Sequence, residues 1–235
     1  MPKKTLILIP AKGKSRRLEN KNIRTLNGVS LVELAVTRSL SCNKGDVVVS
    51  TEDKVIMNLV KSYPITIIER PKKLAGDSVR VIEVVLHVLD KIGYLFDTFI
   101  MTLPTSPLCK VVDMCCALDL FVDGKRNPDR MPVMSVTRME GNPWLIGRCH
   151  EEHREVLVPM FTSSWVAQDI TMQSRQTPLK CNGAVYVCDV KMFQDKKEFY
   201  IDGMLVYEMP RDRGLDVDTE MDLMLVEKIL ERQGL

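Results

Sequence analysis

Residues 6–22 read LILIPAKGKSRRLENKN, an apolar run that passes directly into a cluster of cations. The run at 6–10 lacks the alternation of a half-exposed strand and is typical of a central parallel strand that is covered on both faces. The loop after it carries five cations opposed only by Glu19, namely Lys12, Lys14, Arg16, Arg17 and Lys21. Such a loop is either simply solvated or binds a strongly negative ligand.

Strands and helices alternate from this run as far as about residue 130. Apolar, β-rich runs predict three further strands, at 46–50, 65–69 and 97–103. Helical spacing predicts helices at 31–40 and 77–93, and Asp77 or Ser78 is the expected N-cap of the second helix. This alternation predicts βαβ units with right-handed crossovers, and therefore an α/β fold with an open, doubly wound, mostly parallel sheet.

The regular alternation of strands and helices is lost in the second half of the chain. Strands are predicted again at 183–190 and 204–210, and Thr219 and Asp222 have the spacing of a capping box at the start of a closing helix. Residues 141–180 between them are irregular, polar and interrupted by prolines. We expect a single domain over residues 1–235 in which 141–180 is an insertion that forms a lid or a dimerisation arm, since long irregular segments in compact domains are usually functional.

Composition narrows the class of protein. The net charge of +2 argues against a general nucleic-acid binder, so the cations near the N-terminus matter by their position. The seven cysteines form no CxxC pair, and no secretory signal is recognised, which predicts reduced thiols and a cytoplasmic protein. No apolar stretch approaches the roughly 20 residues that a membrane span needs, so no membrane association is expected.

The position of the cationic loop favours the ligand-binding alternative. In open α/β sheets, ligands bind beyond the carboxyl ends of the strands, where this loop begins. Gly13 permits close approach of the backbone, and successive N–H groups there can form an anion nest for a polyphosphate. The loop is neither a GxxxxGK[ST] phosphate loop nor a GxGxxG dinucleotide fingerprint.

A second stretch, GLDVDTEMD at 214–222, places Asp216 and Asp218 two residues apart just before a helix. In an extended segment both side chains point to one face and suit a hard divalent cation that also contacts phosphate oxygens. Alternatively, Asp218 only caps the helix and Asp216 is solvated. Together the two stretches suggest a site that binds polyphosphate with Mg²⁺.

Motifs along nearly the whole chain carry a family resemblance. They are, in order, IPAKGKSRRLENKNI, VVVSTED, RPKKLAGDS, LPTSPL, SVTRMEGNPW, SRQ, NGAVYV and LDVDTEMD. In these motifs and their order the chain resembles the acylneuraminate cytidylyltransferases, which are CMP-sialic acid synthetases and relatives that act on similar nonulosonic acids. The resemblance implies a Rossmann-like nucleotidyltransferase fold, CTP and a nonulosonic acid as substrates, Mg²⁺ as cofactor, and a homodimer.

The resemblance also implies roles for individual residues. The loop would bind the CTP triphosphate, and Ser15, Lys21 and Asn22 match the family's loop. Ala11 and Gly13 also belong to the nucleotide-binding loop, in which Lys12 replaces the usual Arg and Arg16 replaces the usual Lys. The cytidine pocket would include Arg70 and Asp77. The sugar side would be formed by Leu103, Thr105, Arg175, Gln176, Lys180 and Asn182. Asp216 and Asp218 would hold Mg²⁺, and Lys21 and Arg16 would act with them in catalysis.

Several residues depart from the family pattern. Bulky Arg17 stands where the loop usually has Gly, and it either strains the loop or adds a phosphate donor. Leu103 replaces a sugar-contacting Gln and Cys109 replaces an Arg, which predicts a less polar acceptor pocket. Two alternatives therefore remain open: another sugar nucleotidyltransferase of the Kdo type, or a catalytically degenerate paralogue that only binds nucleotide.

Overall fold

The strand at the start of the chain lies inside a seven-stranded sheet. The structure, a computed structural model, describes residues 4–139, 146–149, 151–152, 157–160 and 178–234. Its strands are β1 (Thr5–Pro10), β2 (Thr25–Leu26), β3 (Val29–Ser30), β4 (Asp46–Thr51), β5 (Thr66–Glu69), β6 (Thr98–Thr102), β7 (Val133–Arg138), β8 (Gly147–Cys149), β9 (Leu157–Pro159), β10 (Leu179–Asp189) and β11 (Leu205–Glu208). Its α-helices are α1 (Leu31–Cys42), α2 (Lys54–Val60), α3 (Val81–Ile92), α4 (Val111–Val122), α5 (Val190–Lys196) and α6 (Glu220–Arg232).

The sheet has the strand order β11-β7-β10-β6-β1-β4-β5. β1 pairs in parallel with both β4 and β6, β5 continues the parallel arrangement beyond β4, and β11 is parallel to β7. β10 is antiparallel to β6, which makes the sheet mixed. The predicted open, mostly parallel α/β sheet is confirmed.

The side chains of β1 explain why helices cover both faces of the sheet. Residues 6–9 are fully buried and alternate between two clusters. Ile7 and Ile9 pack in a cluster with residues of α1, α2 and α4, whereas Leu6 and Leu8 pack with residues of α3 and α5. A strand with two apolar faces is stable only when both are covered, so its composition requires a doubly wound arrangement.

The helix predicted at 77–93 is shorter than expected. α3 begins at Val81, and Arg80 is its N-cap, with the Glu83 carboxylate accepting a hydrogen bond from the Arg80 N–H (3.1 Å). The predicted N-cap of Asp77 or Ser78 is therefore wrong. The Asp77 carboxylate instead accepts a hydrogen bond from Lys12 Nζ, as described below.

The closing helix begins as predicted. Thr219 Oγ1 accepts a hydrogen bond from the Asp222 N–H (3.3 Å), and the Asp222 carboxylate accepts one from the Thr219 N–H (2.7 Å). Because Thr219 is the cap, the alternative in which Asp218 only caps this helix is wrong. Within the part of the chain that the structure describes, no helix is both long and apolar enough to cross a membrane.

The chain divides into two compact units, one formed by residues 137–180 and the other by the remainder. In the smaller unit, β8 and β9 pair as a short antiparallel ribbon. The boundary of this unit lies close to that of the segment 141–180, whose role as a dimerisation arm stays a prediction.

Candidate active site

A cavity of about 800 Å³ lies beside the carboxyl ends of β1 and β6 in the larger unit. Eleven of the predicted site residues line it, namely Lys12, Ser15, Arg16, Lys21, Asn22, Arg70, Asp77, Leu103, Thr105, Asp216 and Asp218. These residues come from almost the whole length of the chain. The fold therefore gathers the cationic loop and the acidic pair in one place, at the edge of the sheet where α/β proteins bind ligands.

The acidic pair faces the cations of the loop. Asp218 Oδ1 accepts a hydrogen bond from Lys21 Nζ at 2.8 Å, and Asp218 Oδ2 lies 2.8 Å from Arg17 Nη1. Lys21 is well shielded, with 16% of its side chain exposed, whereas 70% of the Arg17 side chain is exposed. Arg17 contacts Asp218 in the structure, and its role as an additional phosphate donor stays a prediction.

Asp216 is held differently from Asp218. The intervening Val217 is fully buried, and its N–H donates to the Thr105 carbonyl (2.7 Å), which fixes the extended segment against the turn after β6. Both carboxylates consequently point to the cavity, as the alternation predicted. Burial raises the pKa of Asp216; a hydrogen bond with Thr105 opposes this effect, and the nearby Asp218 charge adds to it.

This pair fits a hard cation that is shared with a polyphosphate. Among the described residues, the buried Asp216 Oδ1 has no hydrogen-bond partner, although a buried carboxylate oxygen normally has one. The same residues contain no group of three or more metal-ligating side chains. Mg²⁺ usually binds through one or two carboxylates with phosphates and waters completing its shell, so Asp216 and Asp218 are a sufficient protein contribution.

The cationic loop is anchored at its start. The Asn22 amide donates to the Lys12 carbonyl (2.8 Å), and the Gly13 N–H donates to Glu52 Oε1 (2.8 Å). The Gly13 N–H is therefore occupied by a carboxylate, contrary to its predicted place in an anion nest. Gly13 lacks a side chain for another reason, since a Cβ there would overlap the Asp53 side chain.

The opposite rim of the cavity is tied to the loop by a salt bridge. Lys12 Nζ lies 2.9 Å from Asp77 Oδ1. The hydrogen bond and the charge of Lys12 lower the pKa of the Asp77 carboxyl. Because Asp77 is exposed, this pair adds little to stability, and its main effect is to bring the residue toward the cavity.

Sequence reasoning missed a buried arginine beneath the site. Arg38 on α1 is buried, and its guanidinium donates to the carbonyls of Ser106 (2.8 Å), Cys109 (3.2 Å) and Leu103 (3.3 Å) and to Thr102 Oγ1 (3.0 Å). It thereby holds the turn that carries Thr105. Its helical spacing from Leu31 and Ala35, which are both fully buried, was the signal that could have placed it on the inner face.

Cys109 does not belong to the acceptor pocket as the sequence suggested. Its side chain is 4% exposed and packs in the apolar cluster between the sheet and α1, α2 and α4. Burial raises the pKa of its thiol to about 11, so the thiol is neutral and inert at physiological pH. Leu103, by contrast, lines the cavity as predicted.

The remaining predicted residues lie away from the cavity or outside the described ranges. Ala11 and Gly13 are buried and do not line it, and Lys180 is exposed on β10. The Asn182 Oδ1 accepts hydrogen bonds from Ser135 Oγ (2.6 Å) and the Ala184 N–H (3.1 Å), so the amide connects β10 to β7. Arg175 and Gln176 lie outside the described residues, and their predicted contact with the sugar stays a prediction.

The doubly wound sheet, with a loop of cations facing two carboxylates at its carboxyl edge, is an arrangement that suits a nucleotidyltransferase. Residues 6–108 match the family model described as cytidylyltransferase. CTP is the substrate that the family implies.

Relatives by sequence cover nearly the whole chain. The CMP-N,N'-diacetyllegionaminic acid synthase of Legionella pneumophila is 29% identical over 96% of each chain. The N-acylneuraminate cytidylyltransferase of Escherichia coli O18:K1:H7 is 26% identical over all of this chain, which spans 54% of that relative's length. The pseudaminic acid cytidylyltransferase of Campylobacter jejuni serotype O:2 is 25% identical over 94% of this chain and 93% of its own.

Solved structures agree on the fold. A CMP:2-keto-3-deoxy-manno-octonic acid synthetase complexed with CTP superposes with a TM-score of 0.71, at 17% identity, over 98% of this chain and 99% of its own. The 4-diphosphocytidyl-2C-methyl-D-erythritol synthase of Anaerococcus prevotii superposes with a TM-score of 0.65 at 11% identity over the same shares. At these identities the likeness concerns the fold alone.

The raised pKa of Asp216 predicts a pH-dependent cost to stability. Because the folded protein binds this proton more tightly than the unfolded chain, the wild type loses stability as the pH rises through the carboxyl range toward the folded-state pKa. We expect Asp216→Asn to have a larger free energy of unfolding than wild type at pH 7, and the difference to narrow on acidification. Urea denaturation of both proteins between pH 4 and 8 measures this difference in the free energy of unfolding.

Asp222→Asn is the matched control, because the pKa of Asp222 is shifted in the opposite direction from that of Asp216. Burial acts to raise the pKa of Asp222, but hydrogen bonds from Thr219 and from the backbone N–H groups of 218 and 219 outweigh it and lower the pKa. Asp222→Asn should therefore be less stable than wild type at pH 7. A loss of stability in both variants would contradict the assignment of Asp216.

Proposed function

We propose that this chain transfers the cytidylyl group of CTP to the anomeric hydroxyl of a nonulosonic acid, giving the CMP-sugar and pyrophosphate. The observation that carries the proposal is the contact between the loop and the acidic pair, with Lys21 Nζ at 2.8 Å from Asp218 Oδ1 inside one cavity. A triphosphate and a divalent cation each have their matching charges there. The family supplies the identity of the nucleotide.

The loop cations would bind the triphosphate. Lys21, Arg16 and Lys12 line the cavity and can neutralise its phosphate oxygens. Lys21 and Arg17 contact Asp218 in the structure, so an arriving triphosphate would compete with that carboxylate for both cations. Phosphoryl transfer of this kind depends chiefly on positioning and charge stabilisation, which a set of converging cations provides.

Asp216 and Asp218 are the residues that would hold Mg²⁺. When bound, the ion would neutralise phosphate charge and make the acceptor hydroxyl more acidic. The hydrogen bond of the Val217 N–H fixes the backbone between the two acids, and among the described residues the buried Asp216 Oδ1 has no hydrogen-bond partner. Thr105 keeps the segment in place through its carbonyl and its contact with Asp216.

The reaction forms one bond and breaks one. The anomeric oxygen of the sugar loses its proton and bonds to the α-phosphorus of CTP. The bond from that phosphorus to the oxygen that bridges to the β-phosphate breaks, and pyrophosphate leaves with the electron pair. Lys21 and Arg16 line the cavity and would stabilise the charge that develops on the phosphate oxygens during this exchange.

The opposite part of the cavity suits a nucleoside. Arg70 lies there with 3% of its side chain exposed, among the apolar side chains of Val79, Val81 and Val84. An apolar wall with one fixed guanidinium provides a surface for a base and donors for its acceptor atoms. This arrangement supports the placement of the cytidine beside Arg70.

Leu103 is the feature that bears on the acceptor. It lines the cavity, and a Cβ built on Gly183 would lie 3.6 Å from its Cδ1, so the Asn-Gly-Ala stretch approaches the same place. An apolar side chain here disfavours the hydroxyl-rich face of a sialic acid, because the substrate's polar groups would lose water without a partner. We therefore propose a dideoxy, diamino nonulosonate of the legionaminic or pseudaminic kind, in keeping with two of the relatives.

The two alternatives are less well supported. The likeness to the octonic acid synthetase is one of fold at 17% identity, whereas the relatives at 25–29% carry nonulosonic acid names. A degenerate paralogue is disfavoured by the presence of Lys21, Asp216 and Asp218 in one cavity.

The function is tested by incubating the protein with CTP, Mg²⁺ and a panel of nonulosonic acids and Kdo. We expect mass spectrometry to detect a CMP-sugar with a nonulosonic acid, and pyrophosphate to appear in equal amount. A product formed only with Kdo would select the first alternative. Nucleotide binding without any product would select the second.

Two lysines of one loop provide the matched variants in this assay. Lys21→Ala should slow turnover by roughly 10²–10³-fold, since its charge stabilises the transition state. Lys14→Ala removes an exposed cation of the same loop that does not line the cavity, and it should have a much smaller effect. Equal effects would mean that the loop acts only as a diffuse basic patch.

Acceptor choice is tested at Leu103. The wild type should prefer a legionaminic or pseudaminic acid to N-acetylneuraminic acid, and Leu103→Gln should shift the ratio of kcat/KM toward the sialic acid because it restores an amide to the pocket. Cys109→Arg is not part of this test, since Cys109 is buried in the core. A wild type that already prefers N-acetylneuraminic acid would contradict the pocket argument.

We further propose that the protein is cytoplasmic and a homodimer in which the segment 141–180 reaches the second subunit and helps to complete the sugar site. The length and irregularity of this segment and the family resemblance support the proposal. Sedimentation velocity at micromolar concentration should show a dimer. A strict monomer would contradict the role given to the segment.

A further inference from the structure

Glu52 stands directly after β4 and connects two parts of the nucleotide site. Its Oε1 accepts a hydrogen bond from the Gly13 N–H at 2.8 Å, and its Oε2 accepts one from Arg70 Nε at 2.8 Å. Only 13% of the Glu52 side chain and 3% of the Arg70 side chain are exposed. One shielded carboxylate therefore holds both the start of the cationic loop and the arginine beside the apolar wall.

Glu52 acts from behind the cavity. Arg70 and the loop residues Lys12 and Ser15 line the cavity, whereas Glu52 does not. Its oxygens are directed to protein donors, so it is placed to orient binding groups and not to touch the nucleotide itself. Sequence reasoning gave it no role, although an acid directly after a buried strand at the carboxyl edge of the sheet was a usable signal.

The geometry at Arg70 shows what this orientation achieves. The guanidinium is planar, so the hydrogen bond from Nε to Glu52 restricts the orientation of the whole group. The bond from the Arg70 N–H to the Thr51 carbonyl (3.0 Å) fixes the main chain of the residue. Its Nη2 is buried and, among the described residues, has no hydrogen-bond partner. The donors of Arg70 are thus only partly used by the protein, while the group is held in place by Glu52.

The loop end is restrained in the same way. Glu52 accepts a hydrogen bond from the Gly13 N–H, and the Asn22 amide donates one to the Lys12 carbonyl. These two bonds hold consecutive residues at the point where the loop leaves the sheet. The positions of the cations that follow depend on this start. A single shift of Glu52 would therefore disturb the loop and Arg70 together.

We propose that Glu52 is a positioning residue that presets the triphosphate end and the nucleoside end of the site as one unit, so that loss of its charge weakens recognition of both ends. The inference rests on the proposed function, because it takes the ligand to be a nucleotide with its phosphates at the loop and its nucleoside at Arg70. Arg70 and the loop bind the ligand, and Glu52 acts only through them.

The test uses two fragments that occupy one end each. Inorganic triphosphate probes the loop and CMP probes the Arg70 end, and binding of each is measured by titration calorimetry. Glu52→Gln keeps the shape but offers only one acceptor oxygen and no charge. It should weaken both fragments by about tenfold, since its single acceptor oxygen can keep only one of the two hydrogen bonds and that bond no longer involves a carboxylate charge. Arg70→Lys should weaken CMP and leave triphosphate within about threefold, because a lysine keeps the charge but not the planar donors.

Nucleotide selectivity separates positioning from a general loss of folded protein. Partial unfolding lowers kcat/KM for CTP and kcat/KM for UTP by the same factor. Displacement of Arg70 should instead lower the ratio of kcat/KM for CTP to kcat/KM for UTP. Glu69→Gln is the matched control, since Glu69 is the exposed carboxylate next to Arg70 in the chain. It should leave both fragments and the ratio unchanged, and thermal melting of every variant defines a temperature at which all are folded.

Glu52→Asp keeps the test decisive if Glu52→Gln does not fold. The shorter carboxylate keeps its charge but reaches only one donor well, so binding of at least one fragment should weaken. Wild-type binding of both fragments by the folded Glu52 variants, or a loss confined to one fragment in Glu52→Gln, would overturn the proposal. Failure of the wild-type protein to bind CTP, CMP or triphosphate would overturn the proposed function as well, which distinguishes the two failures.

Discussion

The contact of Lys21 with Asp218 is the interaction on which the site depends, since it joins residues that are 197 positions apart in the chain. It brings the loop after the first strand against the segment before the last helix. Both side chains are mostly shielded, so the cost of removing their charges from water offsets much of their attraction and the pair is not chiefly a source of stability. Its significance is that it holds opposite charges in the cavity where the ligand would bind. A triphosphate could then replace Asp218 as the partner of Lys21, and a cation could replace Lys21 as the partner of Asp218.

The surroundings of this pair are rigid. Arg38 holds the turn at 102–109 from below, Thr105 holds Val217, and Glu52 holds Gly13 and Arg70. Each of these contacts uses a buried polar group bonded to backbone or to a second charge, which is costly to break because the partner would remain desolvated. A preset cavity of this kind loses little conformational freedom when ligands bind, and this favours both affinity and catalysis.

Much of this arrangement could be predicted from local patterns. The unbroken apolar run of β1 required helices on both faces, and the cationic loop and the Asp216–Asp218 spacing pointed to the edge where the cavity lies. The errors arose where a contact from a distant residue decided the outcome. The absence of a side chain at Gly13 is explained by the nearby Asp53, and its N–H is bonded to Glu52. Helix α3 begins after Arg80 and not at Asp77. Cys109 lies in the core and not in the acceptor pocket.

The sequence by itself determined the alternation of strands and helices, the clustering of cations after β1 and the shared face of the two acids, because these follow from the spacing of neighbouring residues along a regular backbone. Only the tertiary structure decided which charges meet. Asp218 forms salt bridges with Arg17 and Lys21, and Glu52 forms one with Arg70. Among the described residues, Asp216 has one oxygen without a hydrogen-bond partner. Such pairings depend on how strands from distant parts of the chain are ordered in the sheet, and no local pattern specifies that order.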